Sequence, residues 1–120
     1  MASWVVEYTD EFGDWFASLG EHQQNRMIAS VQRLEVYGPN LDYPHSSAIA
    51  ASRHSVMREL RVQIDGRPFR VFYAFNPLRA AILLIGGDKT GDGRFYEKMI
   101  PAADDLYDEH LQELRKEGLL

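Results

Sequence analysis

Two strand-like runs put arginines where an anion can be gripped. Alternation through residues 69–75 sets Phe69, Val71, Tyr73 and Phe75 on one face and Arg70, Phe72 and Ala74 on the other. In the run before it, Leu60, Val62 and Ile64 share a face with Arg58, which leaves Arg61 beside Met57 and Glu59 on the opposite one. A guanidinium on such a face grips phosphate oxygens through two parallel N–H bonds, although any single sheet arginine more often serves solubility beside a glutamate. The segment 86–94, GGDKTGDGR, reads as a break in the third strand: its glycines allow positive φ and close backbone approach, and Lys89 and Arg94 add charge, so it can cradle a phosphate. It lacks the spacing of a nucleotide-binding loop, and a flexible turn is the plainer reading. Tyr96 follows it, where nearby cations lower a phenol's pKa and a base can stack on the ring; anchoring the last helix is its structural alternative. His54, between Arg53 and Ser55 ahead of the first core strand, is the candidate acid or base, although most lone loop histidines are inert.

The charge pattern isolates this region. Residues 53–98 hold nine Lys or Arg against five Asp or Glu, a net of +4, and the remainder holds four against thirteen, a net of −9, which together give the chain's −5. An acidic chain with a basic middle repels phosphate overall, so it reads as a localised anion site and not as a general nucleic-acid binder. Without cysteine it has neither disulfides nor thiolate metal sites. Its histidines, at 22, 45, 54 and 110, lack metal-ligand spacing, so no metal and no cofactor are expected. There is no nucleophile motif for Ser or Cys and no carboxylate pair placed for glycosidase chemistry. The start of the chain does not read as a signal peptide, and its apolar stretches are only strand-length, so no membrane association and a cytoplasmic location are expected.

Elements to position these residues follow from periodicity. Residues 4–8 read as a short strand, after which Thr9 or Asp10 caps a helix with Phe12, Trp15, Phe16 and Leu19 on one stripe, ended by Gly20. A second helix from about Glu21 places Met27, Ile28, Val31 and Leu34 on one face and stops at Gly38-Pro39. Residues 40–55 read as a long loop. Strands over 57–64, 69–75 and 80–85 then form an antiparallel meander joined at Asp65-Gly66 and Asn76-Pro77. Pro101 suits the first turn of a closing helix striped by Ala103, Leu106, Tyr107, Leu111 and Leu114. The expectation is a single α+β domain over 1–120: a small antiparallel-meander sheet with an N-terminal helical hairpin and a C-terminal helix, the helices lying on one face.

Taken in order, Ser52-Arg53-His54 followed by MRELR, then RPFRVFYAFNPLRAAILL, GGDKTGD, and Tyr96 with IPAADDLYDEHL resemble the RelE-superfamily toxins of bacterial type II toxin–antitoxin modules, in particular the HigB-like, phage-derived branch. The resemblance covers nearly the whole chain. It implies a microbial ribonuclease fold that cuts mRNA in the ribosomal A site, using the RNA's own 2′-hydroxyl as nucleophile and no metal. Arg70 matches the strand arginine at the scissile phosphate, Lys89 the basic position after the last strand, and Tyr96 the aromatic position before the final helix. Arg58 and Arg61 in the preceding strand, with Arg53 and Arg94, are the implied RNA-binding residues. The RelE branch carries lysines where this chain has Met57 and Glu59, which leaves the general base open between His54 and Lys89. The implied partners are the ribosome, mRNA and a helix-turn-helix antitoxin. The same fold also hosts gyrase-directed ParE-type toxins, so a non-enzymatic toxin, or an inactive member kept for antitoxin binding, is the alternative.

Overall fold

The computed structural model describes residues 3–120. In chain order the elements are β1 (Val6–Tyr8), α1 (Asp10–Ala17), α2 (Glu21–Tyr37), a 3₁₀ turn (Gly38–Asn40), β2 (Ser46–Ala48), β3 (Arg58–Ile64), β4 (Arg67–Phe75), β5 (Ala81–Asp88) and α3 (Phe95–Lys116). They build one five-stranded sheet ordered β1-β5-β4-β3-β2. Its centre is the expected meander β3-β4-β5, antiparallel throughout. Asp65 and Gly66 both take positive φ, 51° and 78°, the conformation a tight hairpin needs. At the next turn Asn76 Oδ1 accepts from the backbone N–H groups of Leu78 and Ala80. The edges differ from expectation in detail. β1 pairs parallel to β5, and the stretch read as a loop contributes β2, antiparallel to β3. Three residues are too few for a period of two to show in the sequence.

Thr9 secures the entry to α1 from two sides. Its hydroxyl oxygen accepts from Phe12 N at 3.0 Å and donates to Leu84 O at 2.6 Å, so one side chain caps the helix and ties it to β5. Phe12, Met27 and Leu34 of α1 and α2 then bury against Leu60, Val62, Ile64, Val71 and Tyr73. The helices do not all lie on this face, contrary to the sequence reading. α3 packs on the other one, where Phe95, Ala103, Leu106 and Tyr107 meet Phe72, Ala74, Ile82 and Leu84. The physical reason is visible in β4, whose residues 69–74 are all buried: a strand apolar on both sides needs cover on both. α3 also starts at Phe95, six residues before Pro101, which stands inside the helix. Starting early lets Phe95 bury against Phe72, which offsets much of the roughly 3 kcal/mol that an interior proline costs.

The double glycine is not a strand break. β5 continues through Gly86 and Gly87 to Asp88. A Cβ on Gly86 would lie 2.2 Å from the Trp15 ring of α1, and one on Gly87 2.9 Å from Phe95 of α3. These glycines let an aromatic ring settle on each face of the strand. The loop available to a ligand shortens to residues 89–94.

Candidate active site

Arg61 of β3 and Arg70 of β4 are register partners. Like charges directly opposite on a sheet repel. Glu59 resolves this: its Oε1 lies 3.3 Å from Arg70 Nε and its Oε2 3.8 Å from Arg61. The same carboxylate accepts from the Tyr96 hydroxyl at 2.7 Å and from Ser47 Oγ at 2.9 Å. Four elements, β2, β3, β4 and the first turn of α3, therefore converge on one carboxylate. Lys89, just past β5, sets its ammonium 5.3 Å from the centroid of the Tyr96 ring.

Burial gives this cluster its character. Glu59 and Arg70 are only 5% and 4% exposed, because Tyr96 and α3 lie over the face that the sequence reading left open. Arg61, Lys89 and Tyr96 are half-buried, so the cluster has a solvent-facing side. Two arginines flank one carboxylate, and Lys89 stands beyond the Tyr96 ring. Arg70 donates from one terminal nitrogen to Phe69 O at 3.0 Å, yet its buried Nε makes no hydrogen bond, the Glu59 oxygen being close but outside hydrogen-bond geometry. Burial pushes the Tyr96 phenol above its ordinary value, and the bond to Glu59 adds to this against the opposing pull of Arg70. The shift runs opposite to the lowering considered from sequence, and the phenol is held as a proton donor.

Arg70, Lys89, Tyr96 and Arg61 are thus brought together, and the remaining candidates are not. Arg53 and His54 belong to a clasp between the segment before β3 and the middle of α3. His54 Nε2 lies 2.8 Å from Asp108 and its ring packs edge-on against Tyr107, and Arg53 binds Asp105 and Asp108. Ser52 Oγ and Arg53 N both donate to the buried Asp104. Arg53 holds the Asp108 carboxyl below its usual range, with His54 contributing. Asp108 follows Tyr96 by twelve residues of helix, about 18 Å of rise, which removes His54 from the carboxylate cluster. Arg58 points to the α2 side, donating to Ser46 Oγ at 3.0 Å, and Arg94 is an exposed residue paired with Glu97. The residues missed as functional are Glu59 and Ser47. Alternation had already set Glu59 on the face of Arg61, which was the available signal; nothing in the sequence marked Ser47, since β2 was unseen. Among the described residues no group of three or more His, Cys, Asp or Glu is placed to hold a metal ion, and no helix is long and apolar enough to cross a membrane.

His110, on α3, supplies a pH dependence. Burial pushes its imidazole below the ordinary value, against Glu7 and Glu117, and Asn76 Nδ2 stands 3.0 Å from Nε2, which accepts only when neutral. The unfolded imidazole titrates near 6.5, so the folded state's preference for neutral His110 contributes fully above about that pH and is lost as pH falls toward the lower folded value. Urea midpoints measured between about pH 7.5 and about pH 5 fall for the native chain, and His110→Gln flattens that slope. Parallel slopes for the two would assign the acid sensitivity elsewhere.

The sheet flanked by α1 and α2 on one side and a C-terminal helix on the other has the fold of the RelE toxins. Archaeal RelE, from the RelE–RelB complex of Pyrococcus horikoshii OT3, matches with a TM-score of 0.55 and 16% identity over 73% of this chain and 97% of that one. A free arginine double mutant of the E. coli toxin RelE matches with a TM-score of 0.57 and 9% identity over 82% and 96%. The chain belongs to the family described as Phage derived protein Gp49-like (DUF891), whose model matches residues 14–108, within the HigB-like branch of the RelE superfamily. It is similar to two Mycobacterium tuberculosis proteins named "Putative toxin HigB2" and "Putative toxin HigB3". The first is 34% identical over 110 residues, 90% of this chain and 54% of that protein; the second is 38% identical over 91 residues, 75% and 78%. The chain therefore spans about half the length of the first relative.

Proposed function

We propose that this chain is the toxin of a type II toxin–antitoxin module and a metal-independent endoribonuclease that cuts mRNA on the ribosome. The toxin names of its relatives and the RelE fold support the class. The observation that carries the chemistry is the buried Arg70, with an unused Nε donor, beside a carboxylate, a protonated phenol and Lys89. In this reading Arg70 and Lys89 stabilise the charge that develops on the phosphoryl oxygens. Glu59 takes the proton of the 2′-hydroxyl as its oxygen bonds to phosphorus, and the Tyr96 hydroxyl gives a proton to the departing 5′-oxygen. The products are a 2′,3′-cyclic phosphate and a 5′-hydroxyl. The departure from the lysines of the RelE branch then has a chemical sense: a carboxylate replaces an amine as base, with Arg70 and Arg61 within 3.3 and 3.8 Å of it.

Translated mRNA is cut by protein first dialysed against EDTA and then assayed at the Mg²⁺ level that keeps ribosomes assembled, the fragments carry those end groups, and ribosome-free RNA is cut poorly. Loss on chelation with recovery on adding a divalent ion overturns the metal-free mechanism. An adjacently encoded helix-turn-helix protein is the proposed antitoxin, and its co-expression relieves growth arrest. The saturation of Glu59 by Tyr96, Ser47 and Arg70 favours one other reading, an inactive toxin kept for antitoxin binding. Pulse labelling separates the cases: protein synthesis falls first for the ribonuclease, DNA synthesis for a gyrase-directed toxin, and neither for the inactive form.

A further inference from the structure

β2 pairs with β3 only from Arg58 to Leu60, and Arg61 N donates to His45 O at 2.9 Å, so beyond Arg61 no strand pairs with this side of β3. α2 descends onto that side, and Arg26 donates to Gln63 O at 3.0 Å. Between them is a concavity of about 340 Å³, and the ionisable side chains lining it are Arg26, Arg33, His45, Arg61 and Arg70, with no carboxylate among the lining residues. In a chain of net charge −5 this is a local reversal of sign, and concave low-dielectric walls focus such a field. Arg61 belongs to both places. It faces Glu59 in the candidate active site, and it lines the groove. Its guanidinium also lies 5.2 Å from the centre of the Tyr43 ring, which is 70% exposed. The buried Arg70, whose Nε donor is unused, reaches the groove too.

We propose that this groove binds the phosphodiester backbone of single-stranded RNA next to the cleaved nucleotide, with Tyr43, stiffened by Arg61, as the stacking platform for one base. The inference rests on the ribonuclease reading for the position of the cut and adds where the strand runs. An anion-only site explains the arginines. It does not explain an exposed aromatic ring held at the rim by one of them, whereas a nucleic acid supplies both a phosphate for the guanidinium and a π-face for the phenol ring. Arg61 and its register partner Arg70 both line the groove, so a chain bound at Arg70 runs into it toward Arg33 and Arg26.

The test uses a short, fluorescein-labelled 2′-O-methyl oligoribonucleotide, which cannot supply the nucleophile, and measures its anisotropy on the full chain as KCl is raised. With two phosphate contacts removed, Arg26→Ala/Arg33→Ala weakens binding about tenfold and flattens the logarithmic salt slope by about 1.4, at about 0.7 per phosphate on a single strand. Tyr43→Ala weakens it about tenfold with the salt slope kept, because stacking releases no counterions. Arg79→Ala, whose guanidinium lies over Trp4, binds as the native chain does. Unchanged affinity and slope in Arg26→Ala/Arg33→Ala overturn the inference, and so does a native chain that binds a poly-glutamate peptide through these arginines and not the oligonucleotide. Translated mRNA cut normally alongside either result leaves the ribonuclease reading intact. Groove-dependent oligonucleotide binding without any cleavage of translated mRNA removes the ribonuclease reading and keeps the groove.

Discussion

Arg70→Ala loses cleavage and weakens the fold in the same stroke. The rate falls on the order of 10²-fold or more, as it does when a preorganised donor to developing charge is removed. The stability loss has a different origin. Glu59 is 5% exposed, and without Arg70 its nearest cation is Arg61 at 3.8 Å. Removing one partner of a buried pair costs about 3–5 kcal/mol because the other charge stays behind, and the hydrogen bonds from Tyr96 and Ser47 hold the loss toward the lower figure. The two effects come apart in Glu59→Met/Arg70→Met, which replaces the pair by apolar side chains of similar length. That variant recovers most of the stability in denaturant titration and none of the cleavage. Tyr96→Phe removes one donor to Glu59, costs about 1 kcal/mol and slows the cut. Cleavage at the native rate in Tyr96→Phe would take the phenol out of the proton transfer, and full stability in Arg70→Ala would mean that Glu59 is not held by this pair.

The parts of this site that could be read from the sequence are those set by local rules. Alternation put Arg61 and Glu59 on one face of β3 and Arg70 on one face of β4, and the turn residues fixed the order of the meander, so the nearness of Arg61 to Arg70 follows from pairing alone, whereas Tyr96 arrives only with α3. Which side α3 takes is not a local property. It depends on the summed apolar area of both faces of β4 and β5, and the sequence of a doubly buried strand carries no alternation to reveal it. That single fact turned Arg70 from an exposed residue into a buried one and made Glu59 its partner. His54 shows the same limit. Its place ahead of the first core strand suggested an acid or base, and its neighbours in space are Tyr107 and Asp108, more than fifty positions away. β2 escaped notice because what holds it comes from distant strands: Ser46, buried, bonds the Tyr73 hydroxyl of β4, and Ser47 bonds Glu59 of β3.

Gly86→Ala destabilises the fold, and Gly93→Ala does not. The glycines of segment 86–94 suggest a single flexible cradle, but the structure divides them by what surrounds each one. At Gly86 a methyl group would stand 2.2 Å from Cζ3 of Trp15. Trp15 in turn packs against Phe12 and Phe69, so its ring cannot retreat without opening the α1 side of the core. Overpacking of this kind costs about 1–3 kcal/mol, and the measured loss falls at or above the upper figure because the clash is with a rigid ring. At Gly93 nothing lies within 4 Å of the position a Cβ would take, and an exposed substitution of that kind stays within about 0.5 kcal/mol. Trp15→Leu/Gly86→Ala, which gives the new methyl room, is expected to be more stable than the sum of its single changes implies. A phosphate cradle would reverse the pattern, with Gly93→Ala impairing cleavage and Gly86→Ala leaving the melting temperature where it was. Thermal melts of these variants and of Trp15→Leu alone, read beside cleavage of translated mRNA by Gly93→Ala, decide between a strand thinned to admit two aromatic rings and a loop built to hold an anion.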